Sequence, residues 1–150
     1  MNWQKLYNPL ILAVLRSPLH GLLSKSILAV TYMGSKSGRQ YTLPVNYVRD
    51  DGIFLTISLS NRTWWRNLRG GAPVMLRVRG EDLRARSEVL EDSQLVAESL
   101  LTVLRLAPAY RRYLKIDLTP DGQAVDPAAL AQLAHNRVVV RFSDLVPVRS

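Results

Sequence analysis

The chain has 150 residues, 47% of them hydrophobic and 21% charged, values ordinary for a globular protein. A domain of this length buries roughly 70% of its unfolded surface, so it needs no staples to fold. There is no cysteine, which excludes disulfides and thiolate metal sites and fits a reducing, cytoplasmic compartment. The formal net charge of +8 is one-sided: residues 1–80 carry 11 Lys or Arg against two acids, Asp50 and Asp51, whereas residues 81–150 carry 9 against 10. Of the 20 basic residues 16 are Arg, whose planar fork suits phosphate and carboxylate. A basic half points to an anionic partner: a phosphorylated cofactor, a nucleic acid or an anionic membrane.

Taken in chain order, Asn2 to Leu15 reads as an amphipathic helix. Its apolar core, Asn8 to Leu15, is interrupted by Arg16 and Pro18 and falls short of the about 20 apolar residues that a bilayer span needs. It also lacks a signal-peptide cleavage pattern. The reading is a docked helix, with peripheral membrane contact as its alternative use. A loop through Ser17, Pro18 and Gly21 follows. Ile27 to Met33 is a strand, Gly34 to Gly38 a tight turn, and Tyr41 to Val48 a second strand. Pro44 marks that second strand as an edge or a bulge.

Asp50, Asp51 and Gly52 form a hairpin turn into a third strand, Ile53 to Leu59. Thr63 to Leu68 is a short helix, with Thr63 as its cap and Gly70 and Gly71 as its stop. Pro73 to Val78 and Leu83 to Leu90 are the fourth and fifth strands. Ser93 to Leu106 is an amphipathic helix capped by Asp92 or Ser93. Pro108 opens an aromatic-basic segment through Tyr113, Thr119 to Asp126 is a loop, Pro127 to Ala134 a short helix, and Val138 to Phe142 a last strand. Short hairpins early and helices late argue an α+β chain around an antiparallel, barrel-like sheet.

Three constellations carry chemistry. The turn Gly34-Ser35-Lys36-Ser37-Gly38-Arg39 exposes successive backbone N–H groups beside a Lys, an Arg and two hydroxyls. Such a nest suits a phosphate, and equally a solvated hairpin turn. It is not a P-loop, because the spacing differs and no long helix follows. The run Asn61 to Gly71 contains Trp64, Trp65, Arg66, Asn67 and Arg69. It reads either as a ring-stacking and anion-binding corner or as one core Trp beside a cation–π pair of Trp65 with Arg69. Tyr110 and Tyr113, three apart, would share a helical face and either wall a pocket or stitch a helix end to the sheet. His20 and His135 are the only histidines and lie far apart, so no metal site is expected. No Gly-x-Ser-x-Gly elbow occurs, and the scattered basic residues carry no RNA-binding signature, so no nucleic acid is expected.

The ordered set Thr31-Tyr32-Met33-Gly34-Ser35-Lys36-Ser37-Gly38, Pro44-Val45, Tyr47-Val48-Arg49-Asp50-Asp51-Gly52, Trp64-Trp65-Arg66-Asn67-Leu68, Pro108-x-Tyr110-x-x-Tyr113 and Val138-Val139-Val140 resembles the deazaflavin-dependent nitroreductase family. That family belongs to the split β-barrel flavin and deazaflavin oxidoreductases. The resemblance runs from Ile27 to Phe142. It implies one α+β split β-barrel domain, FMN-binding-like and antiparallel, over residues 1–150, with an N-terminal helix and loop at 1–26, the barrel at 27–142 and peripheral helices.

It implies coenzyme F-420 as cofactor, with FMN as second choice, and a small-molecule electron acceptor of quinone or nitroaromatic type. Ser35, Lys36, Ser37, Gly38 and Arg39 would hold the cofactor phosphate, and Tyr41, Pro44, Val45 and Asn46 would line the cofactor. Ser58, Ser60, Trp64, Trp65 and Asn67 would complete the pocket, with Trp64 or Trp65 bordering the ring. Tyr110 and Tyr113 would face the substrate as catalytic residues. Relatives often pair as homodimers. Two departures are visible: Ser35 stands where the family has Arg, and Tyr41 where it has Arg, with Arg39 two positions earlier. The rival reading is a non-catalytic carrier of flavin, haem or a lipid-like ligand on the same barrel.

Overall fold

A computed structural model describes residues 27–148. The expected first helix and the loop through Gly21 lie outside the described residues. Seven strands form one antiparallel sheet in the order β2-β1-β5-β6-β7-β4-β3. They are β1 (Ile27–Met33), β2 (Gln40–Asn46), β3 (Val48–Asp50), β4 (Ile53–Leu59), β5 (Pro73–Val78), β6 (Glu81–Leu90) and β7 (Arg137–Pro147). A five-residue 3₁₀ helix, Trp64–Leu68, follows β4. Three helices come later: α1 (Ser93–Leu106), α2 (Ala109–Leu114) and α3 (Pro127–His135).

The curled sheet carries a core on each face. Side chains of a strand alternate between faces. In β7, Val138, Val140 and Phe142 point into the barrel with Leu28, Val30, Leu76, Trp64 and Trp65. Val139 points the other way, with Leu55 and Val48, onto Val96, Leu100, Val103 and Leu104 of α1. Phe142, Leu28, Leu76 and Leu100 are fully buried, each contributing about 1.5–3 kcal/mol of transfer free energy. Helix α1 starts where the Asp92 carboxylate accepts from the Leu95 N–H. Asp126 does the same for α3 through the Ala129 N–H, with Pro127 in the first turn. Arg111 Nε donates to the Leu104 carbonyl at 3.2 Å, which ties α2 to the end of α1.

Three expectations are corrected. The segment read as one strand, Tyr41 to Val48, is two, broken at Tyr47 and lying on opposite edges of the sheet. Tyr47 and Val48 are both buried, which breaks the alternation. The Tyr47 ring turns inward onto Phe54, centroids 5.0 Å apart, while the chain crosses from one edge to the other. Pro44, which has no N–H to donate, sits on edge strand β2. Thr63 makes no side-chain cap, and the short helix is 3₁₀. The last strand runs on to Pro147, pairing with β6 beyond an irregularity at Arg84–Arg86.

Candidate functional site

The β1–β2 connection closes tightly. Gly34 N donates to the Arg39 carbonyl at 2.7 Å and Gly38 N to the Gly34 carbonyl at 2.9 Å, with Gly38 at φ 68°. Glycine is required at position 34 for another reason: a Cβ there would lie 2.7 Å from Ser37 Oγ and 2.9 Å from the Tyr41 ring. Arg39 N donates to Ser37 Oγ at 3.2 Å, and Ser37 Oγ lies 3.4 Å from the Tyr41 hydroxyl. Tyr41 itself is half-buried, its ring 5.7 Å from that of Tyr32. Lys36, Ser37 and Arg39 are exposed. The backbone N–H groups of Lys36 and Ser37 have no partner among the described residues.

Ser35 is the exception in this turn. Its backbone N–H and its hydroxyl both donate to Asn67 Oδ1, at 2.9 and 3.1 Å. Asn67 Nδ2 in turn donates to the Trp64 carbonyl at 3.1 Å. Trp64 Nε1 donates to the buried Ser58 Oγ, also at 3.1 Å. The 3₁₀ helix thereby links the β1–β2 turn to the end of β4 through a continuous set of hydrogen bonds.

Ser58 opens onto the next feature, a cavity of about 110 Å³ that it shares with Asn46, Leu59, Tyr110, Tyr113 and Arg137. Four predicted site residues from three elements meet here: Asn46 at the end of β2, Ser58 on β4, and Tyr110 and Tyr113 on α2. The tyrosine rings stand edge-on, 6.5 Å apart; Tyr110 is half-buried and Tyr113 is 78% exposed. Burial, and then the neighbouring Tyr113, push the Tyr110 hydroxyl above the ordinary tyrosine range, which makes it a weaker acid than a free tyrosine.

The other predicted residues lie around this corner. Pro44 and Val45 sit on β2 opposite Ala29 and Leu28. Ser60 donates its N–H to the Asn136 carbonyl at 2.9 Å. Both tryptophans, not one, are core residues, 6% and 3% exposed. Trp65 carries the guanidiniums of Arg69 and Arg66 at 5.0 and 5.4 Å from its ring centroid, so the expected Trp65–Arg69 stack is present. Arg69 is also held by Glu91 through two bonds of 2.9 and 2.7 Å. Arg137 was not anticipated. It opens β7 opposite Leu59 and brings a guanidinium to the cavity. The signal for it was a charged residue directly before the apolar run Val138-Val139-Val140.

Among the described residues no group of three or more His, Cys, Asp or Glu could hold a metal ion, and no helix is long and apolar enough to cross a membrane.

No protein-family model matches the chain, and no curated protein does. Solved structures do. A domain-swapped dimer superposes with a TM-score of 0.53 at 16% identity, over 95% of this chain and 98% of that one. The fold is the split β-barrel. The flavocytochrome Anf3 from Azotobacter vinelandii shares this split barrel with a TM-score of 0.51 at 14% identity, over 87% of this chain and 76% of that one. An F420-H2 dependent reductase superposes more loosely, with a TM-score of 0.47 at 17% identity over 79% and 96% of the two chains. A superposition that loose bears on neither cofactor nor activity.

Proposed function

We propose that this split barrel is an oxidoreductase that binds a phosphate-bearing deazaflavin of the coenzyme F-420 type, with FMN as second choice, and reduces a flat, electron-poor acceptor such as a quinone or nitroaromatic. The observation that carries the reading is the hydrogen-bonded corner Ser35–Asn67–Trp64–Ser58, which joins an anion-accepting turn to a tyrosine-lined cavity. A neighbour of the same fold is a flavocytochrome, which supports a flavin-class ring on such a barrel.

The turn fits a phosphate: two backbone N–H groups without a partner among the described residues lie beside Lys36 and Arg39, and the turn contains no acid. Lys36 and Arg39 would hold the phosphate as charge-assisted donors. When bound, the deazaflavin supplies the hydride. The chain orients the acceptor and provides a proton. Arg137 and the Asn46 amide would hold the acceptor's oxygens. The Tyr110 hydroxyl, protonated at neutral pH as any tyrosine is, would donate to the oxygen that gains charge. Tyr113, exposed at the rim, would cover the acceptor ring. A homodimer belongs to the same proposal, supported by the domain-swapped neighbour and checked by light scattering.

The test is absorbance of the full chain after incubation with reduced or oxidised deazaflavin, FMN or haem and desalting, followed by reoxidation with menadione or a nitroaromatic. Lys36→Ala should weaken deazaflavin binding by about 1.5–3 kcal/mol at low salt, with a smaller loss at high salt. Tyr110→Phe should lower turnover at least tenfold, equivalent to about 1.4 kcal/mol, and leave cofactor affinity nearly unchanged. Tight binding without reoxidation of any acceptor would turn the assignment to a carrier. Absence of binding would end the cofactor reading.

A further inference from the structure

Tyr110 has a second cavity on its other side. It measures about 370 Å³ and is lined by Tyr47, Phe54, Val78 and Leu106 together with Arg49 and Arg79. Its walls come from the β2–β3 connection, the start of β4, the β5–β6 turn and the α1–α2 junction. The β1–β5 register sets Ala29 against Arg77, so this is the end of the sheet away from the Gly34–Arg39 turn. None of the residues assigned above to the phosphate lines it.

We propose that this cavity is a binding site for an amphipathic carboxylate, an apolar body ending in a single carboxyl group. Its volume falls within the range of small-molecule sites. At about 30 Å³ for each water-sized unit it takes roughly a dozen non-hydrogen atoms. The floor is built from buried side chains: Tyr47, Phe54 and Val78 are each 6% exposed. Leu106 lines the cavity as the last residue of α1 and is 47% exposed.

The polar end of the cavity has one sign. Arg49 and Arg79 are both exposed, and no acidic residue lines the cavity. Arg49 Nε makes only a long bond, 3.4 Å, to the Asp51 carbonyl. Arg79 has no hydrogen bond or ion pair among the described residues, although Glu81 and Asp82 follow it closely. Asp82 pairs instead with Arg77 at 3.2 Å. Arg79 and Gly80, at φ 51° and 79°, form the two-residue turn between the paired Val78 and Glu81, and this hairpin carries the Arg79 side chain at the cavity. Two exposed guanidiniums beside an apolar floor match a carboxylate on an apolar stem.

The site does not depend on the cofactor reading. It is tested on the full chain by amide chemical-shift titration with three probes: octanoate, 1-octanol and acetate. Octanoate should give saturable shifts centred on Val78, Leu106 and Ala107. Octanol should bind at least tenfold more weakly and acetate should not saturate. Arg49→Gln and Arg79→Gln should each weaken octanoate several-fold, while Arg84→Gln, exposed on β6, should leave it unchanged. High salt should weaken octanoate and spare octanol. Equal affinity for octanol and octanoate, wild-type affinity in the Arg49→Gln/Arg79→Gln double variant, or absence of saturable shifts would each overturn the proposal. The amide spectrum reports the fold of every variant in the same experiment.

Discussion

Asn67 Oδ1 accepts two hydrogen bonds from one residue, the backbone N–H and the hydroxyl of Ser35, which lies 32 positions earlier in the chain. One amide side chain thus fixes how the β1–β2 turn sits on the barrel. Asn67→Ala removes both bonds and the donation to the Trp64 carbonyl. The expected loss is about 1–3 kcal/mol, since each net hydrogen bond contributes about 1 kcal/mol. Asn67→Asp keeps an acceptor but sets an anion beside the turn. It should therefore lower phosphate affinity at low salt more than Asn67→Ala does. Denaturant unfolding and phosphate titration of both variants check the pair. Equal phosphate affinity would detach Asn67 from the anion site.

Ser58 receives the indole N–H of Trp64 inside the barrel. Ser58→Ala leaves that buried donor without its partner, at a cost of about 1–3 kcal/mol. Ser58→Thr keeps the hydroxyl and should restore most of the loss. The unfolding midpoint in urea separates them. A silent Ser58→Ala would mean that Trp64 contributes through packing alone.

The two glycines of the turn should respond differently to alanine. At Gly38 the added methyl meets nothing within 4 Å, and the cost is the positive φ of 68°, about 1–2 kcal/mol of strain. At Gly34 the methyl collides with Ser37 Oγ and the Tyr41 ring. Gly34→Ala should therefore deform the turn and abolish anion binding, while Gly38→Ala lowers stability and leaves binding largely intact. Melting temperatures read beside phosphate titrations show whether the two effects divide this way.

Alkaline unfolding isolates Tyr32. Burial, and then the neighbouring Tyr41, push its hydroxyl up from 10.0 to about 12. Between those values the unfolded chain has lost the proton and the folded chain has kept it. The stability from this group is thus full below pH 10 and falls as the pH rises to 12. A shift of that size corresponds to about 2–3 kcal/mol. Tyr32→Phe cannot ionise and should lose less stability than wild type across this window. Denaturant midpoints at pH 9, 10.5 and 12 make the comparison. Parallel curves would show that Tyr32 does not govern the alkaline limb.

Much of the fold was legible because turn residues punctuate it. Gly34, Asp51-Gly52, Pro73 and Gly80 bound strands that occupy their expected positions. The break at Tyr47 was hidden because Tyr41, Leu43, Val45 and Tyr47 alternate with Thr42, Pro44 and Asn46, and a single apolar neighbour, Val48, does not reveal that the chain crosses between sheet edges there. The meeting of Asn46, Ser58, Tyr110 and Tyr113 depends on strands that approach across the curled sheet, which local pattern does not encode. Asn67 was visible as a site residue, but its link to Ser35 is a long-range side-chain contact with no periodic signature. Arg137 looks like any charged residue at a strand start until the register sets it opposite Leu59.

The position of β7 bears on how the sheet assembles. Among the described residues its hydrogen-bond ladder is the sole strand pairing that joins two sub-sheets, β2-β1-β5-β6 on one side and β4-β3 on the other. Phe54 must find Phe142 across most of the described chain, a loop closure whose entropy is lost before any contact returns it. Until β7 inserts, β6 and β4 each present an unpaired inner edge, and such edges recruit strands from other molecules. Any lesion that slows or weakens β7 therefore bares two adhesive edges at once, and insoluble assembly, rather than a softened monomer, is its expected outcome.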